Sequence, residues 1–293
     1  MTRVEAVIPL HDENPTRGLA WVTVVLIAIN IAVFFLIQPR ADTSEGLEFS
    51  YQYAAIPCEI SRGDPLTTDQ IVETISGRDT TACDDSQATG PVAFPDKQPL
   101  LAVITSMFLH GDIFHLGFNM LFLWIFGNNV EDHLGKIKYI VFYLVSGIAA
   151  TATHLAFGFD STIPIIGASG AIAGVMGAYL VWFPNARVRT LVFAIFVFFV
   201  EISAKWLLVA WLVSQFFLAD DSGIARWAHI GGFVFGVLFA LAVRESLRAR
   251  RALWRTAYVG NDAGWWDNRH GGRVEDPTPP YGNDLPPYDG PIR

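Results

Sequence analysis

The sequence predicts an all-α, polytopic membrane protein with six transmembrane helices and both termini on the cytoplasmic side. Three observations carry that expectation. Of 293 residues, 52% are hydrophobic and only 16% charged, against about 25% charged in soluble domains. The apolar residues gather into six runs, several near the roughly 20 residues that cross a bilayer as a helix. Successive short connections alternate between Lys and Arg on one side and acids on the other, as the positive-inside rule requires of a chain that crosses repeatedly.

A mixed-charge cytoplasmic segment, residues 1–17, precedes the first run, about Gly18 to Ile37. That run is too long for a signal peptide and lacks a small-residue cleavage site, so it reads as a retained span. A polar loop, residues 39–98, is expected to face outward. The second run covers about Ile113 to Phe126, the third Ile137 to Phe157, and the fourth Ile165 to Phe183. The fifth lies inside Val188 to Leu218. There "LVFAIFVFFV", Leu191 to Val200, would make only about 15 Å of helix, and Glu201 and Lys205 interrupt the apolar residues beyond it. One crossing plus a shallow or re-entrant piece is expected, because two crossings would put the sixth run, Trp227 to Val243, in the wrong direction. The membrane domain is expected over 18–245 and a cytoplasmic tail over 246–293. Pro, Gly and Asp dominate after Tyr258, which predicts disorder there.

Orientation rests on Lys136 and Lys138, on Arg187 and Arg189, and on Arg244, Arg248, Arg250, Arg251 and Arg255, set against Asp160, Asp220 and Asp221 in the other loops. The last Arg cluster is suited to anionic lipid. The net charge of −8 is unevenly placed, and no basic stripe or nucleic-acid motif accompanies it, so nucleic acid is excluded as a partner. Cys58 and Cys83 both fall in the outward loop. In an oxidising compartment they would form one disulfide; two unpaired thiols are the alternative.

Polar groups within a span are costly and normally face protein or a water-filled cavity. His115, Asn119, Ser169 and His229 stand within the first two turns of the second, fourth and sixth runs, all inward-running, so all four fall in the outer half of the bilayer. Ser169, Ala173 and Gly177 recur at four-residue spacing beside Gly170 and Gly174. His229 precedes Gly232, Gly236 and Ala240. Small residues at such spacing let helix backbones approach closely. If the two faces meet, the Ser169 hydroxyl and the His229 imidazole come within reach as a nucleophile and its base, while His115 and Asn119 share one face and offer donors to an oxyanion. Taken singly, each has a plainer reading: Ser169 as a packing residue, His229 as a helix-start histidine, Asn119 as interhelical glue. Asn30 reads as structural. His110 and His115 lie about 140° apart on a helix, with no glutamate in an HExxH arrangement, which is poor for zinc.

These motifs resemble the rhomboid family of intramembrane serine proteases. "GASG" is similar to its GxSG nucleophile motif and "AHIGG", Ala228 to Gly232, to its span-six motif. "HGDIFHLGFNM", His110 to Met120, is similar to HxxxxHxxxN, and "GNNVE" to GxxxE. The resemblance covers about Thr105 to Val243. It implies a six-helix rhomboid-like bundle and an intramembrane endopeptidase with Ser169 as nucleophile and His229 as base. The oxyanion hole would come from His115, Asn119 and the Ser169 backbone N–H, with Gly127 and Glu131 structural. It implies single-span membrane proteins as substrates, cut near the outer face, in a bacterial plasma membrane, with no metal or organic cofactor. No Asp or Glu lies in the outer half of these spans, so a dyad is expected. Two features depart from the family: Leu101 and Ala102 replace a common Trp-Arg, and Ala173 replaces an aromatic that packs on the base. The competing readings are a non-catalytic rhomboid-like binder of membrane clients and a small transporter with a histidine proton relay. Against the latter, no inverted repeat or broken helix pair is visible. Oligomeric state is left open.

Overall fold

The computed structural model describes residues 6–14, 16, 18–77, 79–81, 83, 90–193, 197–218 and 224–243. Asp220, Asp221, the Arg cluster from Arg244 and the tail from 246 lie outside the described residues. The chain is mostly helical. Among the described residues, three helices are long and apolar enough to cross a membrane: α6 (Ile113–Leu134), α7 (Lys136–Phe157) and α10 (Arg226–Val243). Shorter apolar helices accompany them: α1 (Trp21–Ala32), extended by a π turn over Val33–Ile37, α5 (Pro99–Thr105), α8 (Ser169–Trp182) and α9 (Ala204–Gln215).

Local chemistry sets the limits of these helices. The Asp112 carboxylate caps α6, accepting from the N–H groups of Phe114 at 2.8 Å and His115 at 2.9 Å, and so fixes His115 and Asn119 in the first two turns. At its other end Gly135, with φ 78°, breaks the run before α7; a left-handed backbone favours glycine there. Glu131, buried in α6, holds the start of α1. It accepts from the backbone N–H of Val22 at 3.0 Å and of Thr23 at 2.8 Å, and from the Thr23 hydroxyl at 2.9 Å. A carboxylate at a helix N-terminus satisfies donors that have no partner within the helix. Asn30, fully buried in α1, donates to the Leu26 carbonyl at 2.7 Å.

The all-α expectation requires correction. β1 (Ala6–Asp12), β2 (Arg187–Phe193) and β3 (Val197–Ser203) form an antiparallel sheet of order β1-β2-β3, with Thr190 opposite Val200 and Pro9 opposite Thr190. Leu191 to Phe193 and Val197 to Val200 are therefore strand, and the shallow or re-entrant piece expected beside one crossing is a β-hairpin arm of this sheet. Their β-branched and aromatic residues suit a pleated surface better than a helix, and β1 supplies a third strand, without which a two-stranded ribbon is marginal. Asp12, 2% exposed, joins this sheet to the bundle, accepting from Asn129 Nδ2 of α6 at 2.6 Å and Tyr179 Oη of α8 at 2.7 Å.

The described residues of the loop over 39–98 also carry secondary structure of their own. They form α2 (Ser44–Tyr53), α3 (Pro57–Arg62) and α4 (Thr68–Ile75) around Tyr51, Ile56, Cys58 and Leu66, with Ile71, Cys83 and Phe94 packed against them. Thr67 and Gln70 make a reciprocal capping box at the start of α4. Cys58 and Cys83 are disulfide-bonded, with Cα atoms 5.6 Å apart. Glu59 and Lys97 form an ion pair with both side chains almost wholly buried. This insertion is bonded to the segment leading into α8: Ile165 N–H donates to Ala55 O at 2.7 Å and Cys58 N–H to Ser161 O at 2.9 Å.

α8 lies at the centre, packed against α6, α7 and α9. Its approach to α10 is backbone on backbone. A Cβ on Gly232 would fall 2.1 Å from Gly170 O, and one on Gly236 1.9 Å from Gly174 O. Any side chain at these positions would force the helices apart.

Candidate active site

Ser169 is the first residue of α8, and the geometry around it begins with Gly167. That residue has φ 122°, where a side chain is strained. Its N–H donates to Ser106 O at 2.9 Å. A Cβ there would meet His115 Nε2 at 2.8 Å and Ser169 Oγ at 3.5 Å. Glycine thus lets the imidazole of α6 and the hydroxyl of α8 converge on one corner. The fourth apolar run accordingly becomes helical only at Ser169; Ile165 is instead paired with Ala55 in a β-bridge.

From α10, His229 Nε2 lies 2.7 Å from Ser169 Oγ, within hydrogen-bonding distance. The close glycine contacts of α8 and α10 permit this separation. On the far side of the ring, His229 Nδ1 lies 2.8 Å from Gln215 Oε1, at the end of α9. The Trp211 ring, one turn earlier in α9, sits 5.6 Å from the imidazole. An aromatic from α9 thus lies beside the histidine, while the position four residues after Ser169 is the fully buried Ala173.

His115 Nδ1 accepts from Gly111 N–H at 3.4 Å. In a neutral ring, an accepting Nδ1 leaves the proton on Nε2, which makes Nε2 a donor near Gly167 and Ser169. Asn119, one turn deeper, donates from Nδ2 to His115 O at 2.9 Å, so one of its two amide hydrogens is engaged by its own helix. The Ser169 N–H is among the first in α8, and such groups have no intrahelical acceptor. His110 is fully buried and edge-on to His115, ring centres 5.2 Å apart; its main chain is clamped by Gln38, which donates to His110 O at 2.7 Å and accepts from His110 N at 3.1 Å. Among the described residues, no group of three or more His, Cys, Asp or Glu is placed to hold a metal ion. A cavity of about 20 Å³, lined by Ser106, Thr151, Ile166, Gly167 and Gly170, borders Ser169; that is room for about one water molecule.

Ser169, His229 and His115 therefore meet at one corner, with Asn119 directly below His115. Sequence reasoning missed Gln215 and Trp211. A signal existed: Gln215 is the one amide in "WLLVAWLVSQ", apolar from Trp206 to Val213. Nothing in the sequence aimed it at His229.

Comparison with known proteins agrees in kind. A family model described as Rhomboid domain matches residues 97–246, half of the chain. Rhomboid protein 1, mitochondrial, of Saccharomyces cerevisiae is 34% identical over 161 residues, covering 52% of this chain and 44% of that protein. Rhomboid protease GluP of Bacillus subtilis is 32% identical over 142 residues, covering 48% and 25%. Rhomboid protease AarA of Providencia stuartii is 29% identical over 160 residues, covering 47% and 53%. The chain thus spans between a quarter and about half of the length of these relatives.

Proposed function

The chain belongs to the rhomboid family, and from that premise we propose that it is a serine endopeptidase that cleaves transmembrane segments through Ser169 and His229. The observation that carries the reading is the 2.7 Å contact between Ser169 Oγ and His229 Nε2. His229 accepts the hydroxyl proton as Ser169 attacks the scissile carbonyl, then delivers it to the leaving amine. Negative charge on the tetrahedral oxygen is met by the Ser169 N–H, by Nε2–H of His115 and by the second amide hydrogen of Asn119. Water then hydrolyses the acyl-enzyme, and the small cavity beside Ser169 suits its approach. No step calls for a metal or organic cofactor.

In this reading six of the apolar helices cross: α1 with its π turn, then α6, α7, α8, α9 and α10, while the short α5 does not. The Lys and Arg of the short connections favour a cytoplasmic side for both termini, the sheet and residues 246–293, and the outer side for the insertion. In the same reading, residues 1–17 and 246–293 flank a membrane domain over 18–245. At about 1.5 Å per residue α8 is about 21 Å long, short of the roughly 30 Å hydrocarbon layer. With its C-terminal end at the inner face, Ser169 sits below the outer surface in a pocket that water reaches from outside. Substrates are single-span membrane proteins whose helices unwind near that depth, since a helical peptide bond is shielded from attack. The host membrane in this reading is a bacterial plasma membrane.

The test is cleavage of a single-span reporter in proteoliposomes. The wild type should cut it, and Ser169→Ala and His229→Ala should each lose at least about 10³-fold in rate. Asn119→Ala should lose about 10²–10³-fold. Equal cleavage by Ser169→Ala and wild type would end the proposal and return the chain to the client-binding alternative.

A further inference from the structure

We propose that Gln215 is a positioning residue that holds His229 in the tautomer and orientation needed by Ser169. The inference rests on the Ser169–His229 reading and adds a third member to it. The polarity of the contact is fixed at its far end. The Trp211 backbone carbonyl can only accept, and the Gln215 amide lies 3.1 Å from it through Nε2. Nitrogen must therefore face the carbonyl, which turns Oε1 toward His229, 2.8 Å from Nδ1. An amide oxygen cannot donate. Nδ1 of His229 consequently carries the ring proton, and Nε2 presents its lone pair to Ser169 Oγ, 2.7 Å away. One direction of donation runs through the whole chain: Ser169 to His229, His229 to Gln215, Gln215 to the main chain of α9.

Burial gives this chain its weight. Gln215 is 5% exposed, so water does not readily replace a lost partner, and an unpaired buried donor is costly. The alternative tautomer would set an Nε2–H against the hydroxyl and face a bare Nδ1 toward Oε1, losing both contacts productive for a base. Trp211, also from α9, limits the tilt of the ring. The orienting task that the family resemblance assigned to an aromatic on α8, absent here at Ala173, is thus taken over by α9. A neutral amide does so without placing a carboxylate at membrane depth, where charge is expensive.

The test compares wild type with Gln215→Met, Gln215→Asn and Gln215→Glu, each purified in full length and reconstituted. Methionine keeps the volume without an acceptor, asparagine falls one methylene short, and glutamate retains an accepting oxygen whether or not it is protonated. We expect kcat to fall about 10–100-fold in Gln215→Met and Gln215→Asn with KM within about twofold, and Gln215→Glu to remain within about tenfold of wild type. Imidazole ¹⁵N spectra, assigned by difference from His229→Ala, should show His229 protonated at Nδ1 in wild type and mixed in Gln215→Met. A wild-type ring protonated at Nε2, or a Gln215→Met enzyme with unchanged kcat, would overturn the assignment. If wild type fails to cut the reporter while its spectrum shows the Nδ1 form loosening in Gln215→Met, the peptidase reading falls and the role of Gln215 stands.

Discussion

Between α8 and α10 contact is made by bare backbone, Gly170 on Gly232 and Gly174 on Gly236. In the insertion over 39–98 it is made by a disulfide, a capping box and a buried ion pair. The difference reflects two solvents. Apolar helices surrounded by lipid gain little from hydrophobic burial, so close van der Waals approach has to hold them. The insertion has eleven Asp and Glu and four Lys and Arg around only a few buried apolar side chains. A core that small supplies too little stability alone and is reinforced by cross-links. The first region tolerates no added atom at the contact; the second depends on specific pairs.

Substitutions that exchange the two modes should have graded effects. The largest is expected from Gly236→Ala. Its methyl would fall 1.9 Å from Gly174 O, so α10 must move, carrying His229 away from Ser169. A displacement near 1 Å at a reacting pair costs about 10²-fold, and kcat/KM on the transmembrane reporter should fall by at least that. Activity within twofold of wild type would show that the helices adapt and that the contrast is overstated.

Next is Lys97→Met, which leaves Glu59 buried without its cation. Removing one partner of a buried pair costs about 3–5 kcal/mol, whereas replacing both is often nearly neutral. Thermal unfolding of the insertion should therefore be markedly lowered in Lys97→Met and largely restored in Glu59→Gln/Lys97→Met. The pH dependence has a definite sign. Burial pushes the Glu59 carboxyl above its ordinary value of 4.5, against the opposing influence of Lys97. The native form thus holds a proton that the unfolded chain releases, and that contribution is present below pH 4.5 and lost as pH rises through the raised value. The Lys97→Met defect should be smallest in acid and grow toward neutrality. A defect independent of pH would assign it to packing.

Cys58→Ser/Cys83→Ser should cost about 2–4 kcal/mol, read as faster proteolysis within residues 39–98. It should reach the site only weakly, through the bonds that join Ala55 and Cys58 to the segment before α8. A loss of cleavage as large as that of Gly236→Ala would mean the two regions are not separable. The smallest effect belongs to Glu201→Gln. Its pair with Arg187 on the sheet is solvent-exposed, and such pairs contribute under about 1 kcal/mol; the unfolding temperature should shift by no more than that implies.

The patterns that hydrophobicity controls are legible in the residues. Runs of apolar side chains mark the helices, and the small-residue spacing of Gly170, Gly174, Gly232 and Gly236 marks faces able to touch. Cys58 and Cys83 stand as the two cysteines of one segment. The Leu191–Val200 run misleads because length and apolarity alone do not separate a short helix from a strand. One of the two partners of β2, β1, lies about 180 residues earlier in sequence, and strand pairing at that distance leaves no local periodicity to read. The helices of the insertion escape notice for the converse reason: Tyr51, Leu66 and Phe94 are too few and too widely spaced to announce a core.

The amino-acid order by itself determined which segments avoid water, where small residues permit contact, and which hydroxyl and imidazoles stand at similar depth, because these follow from side-chain chemistry and helical period. Only the tertiary structure decided that Gly167 opens the corner between His115 and Ser169, that Asp12 ties the sheet to α6 and α8, and that Gln215 meets the far side of His229. Each depends on directions between elements remote in sequence, and direction in space is a property of packing that no single segment carries.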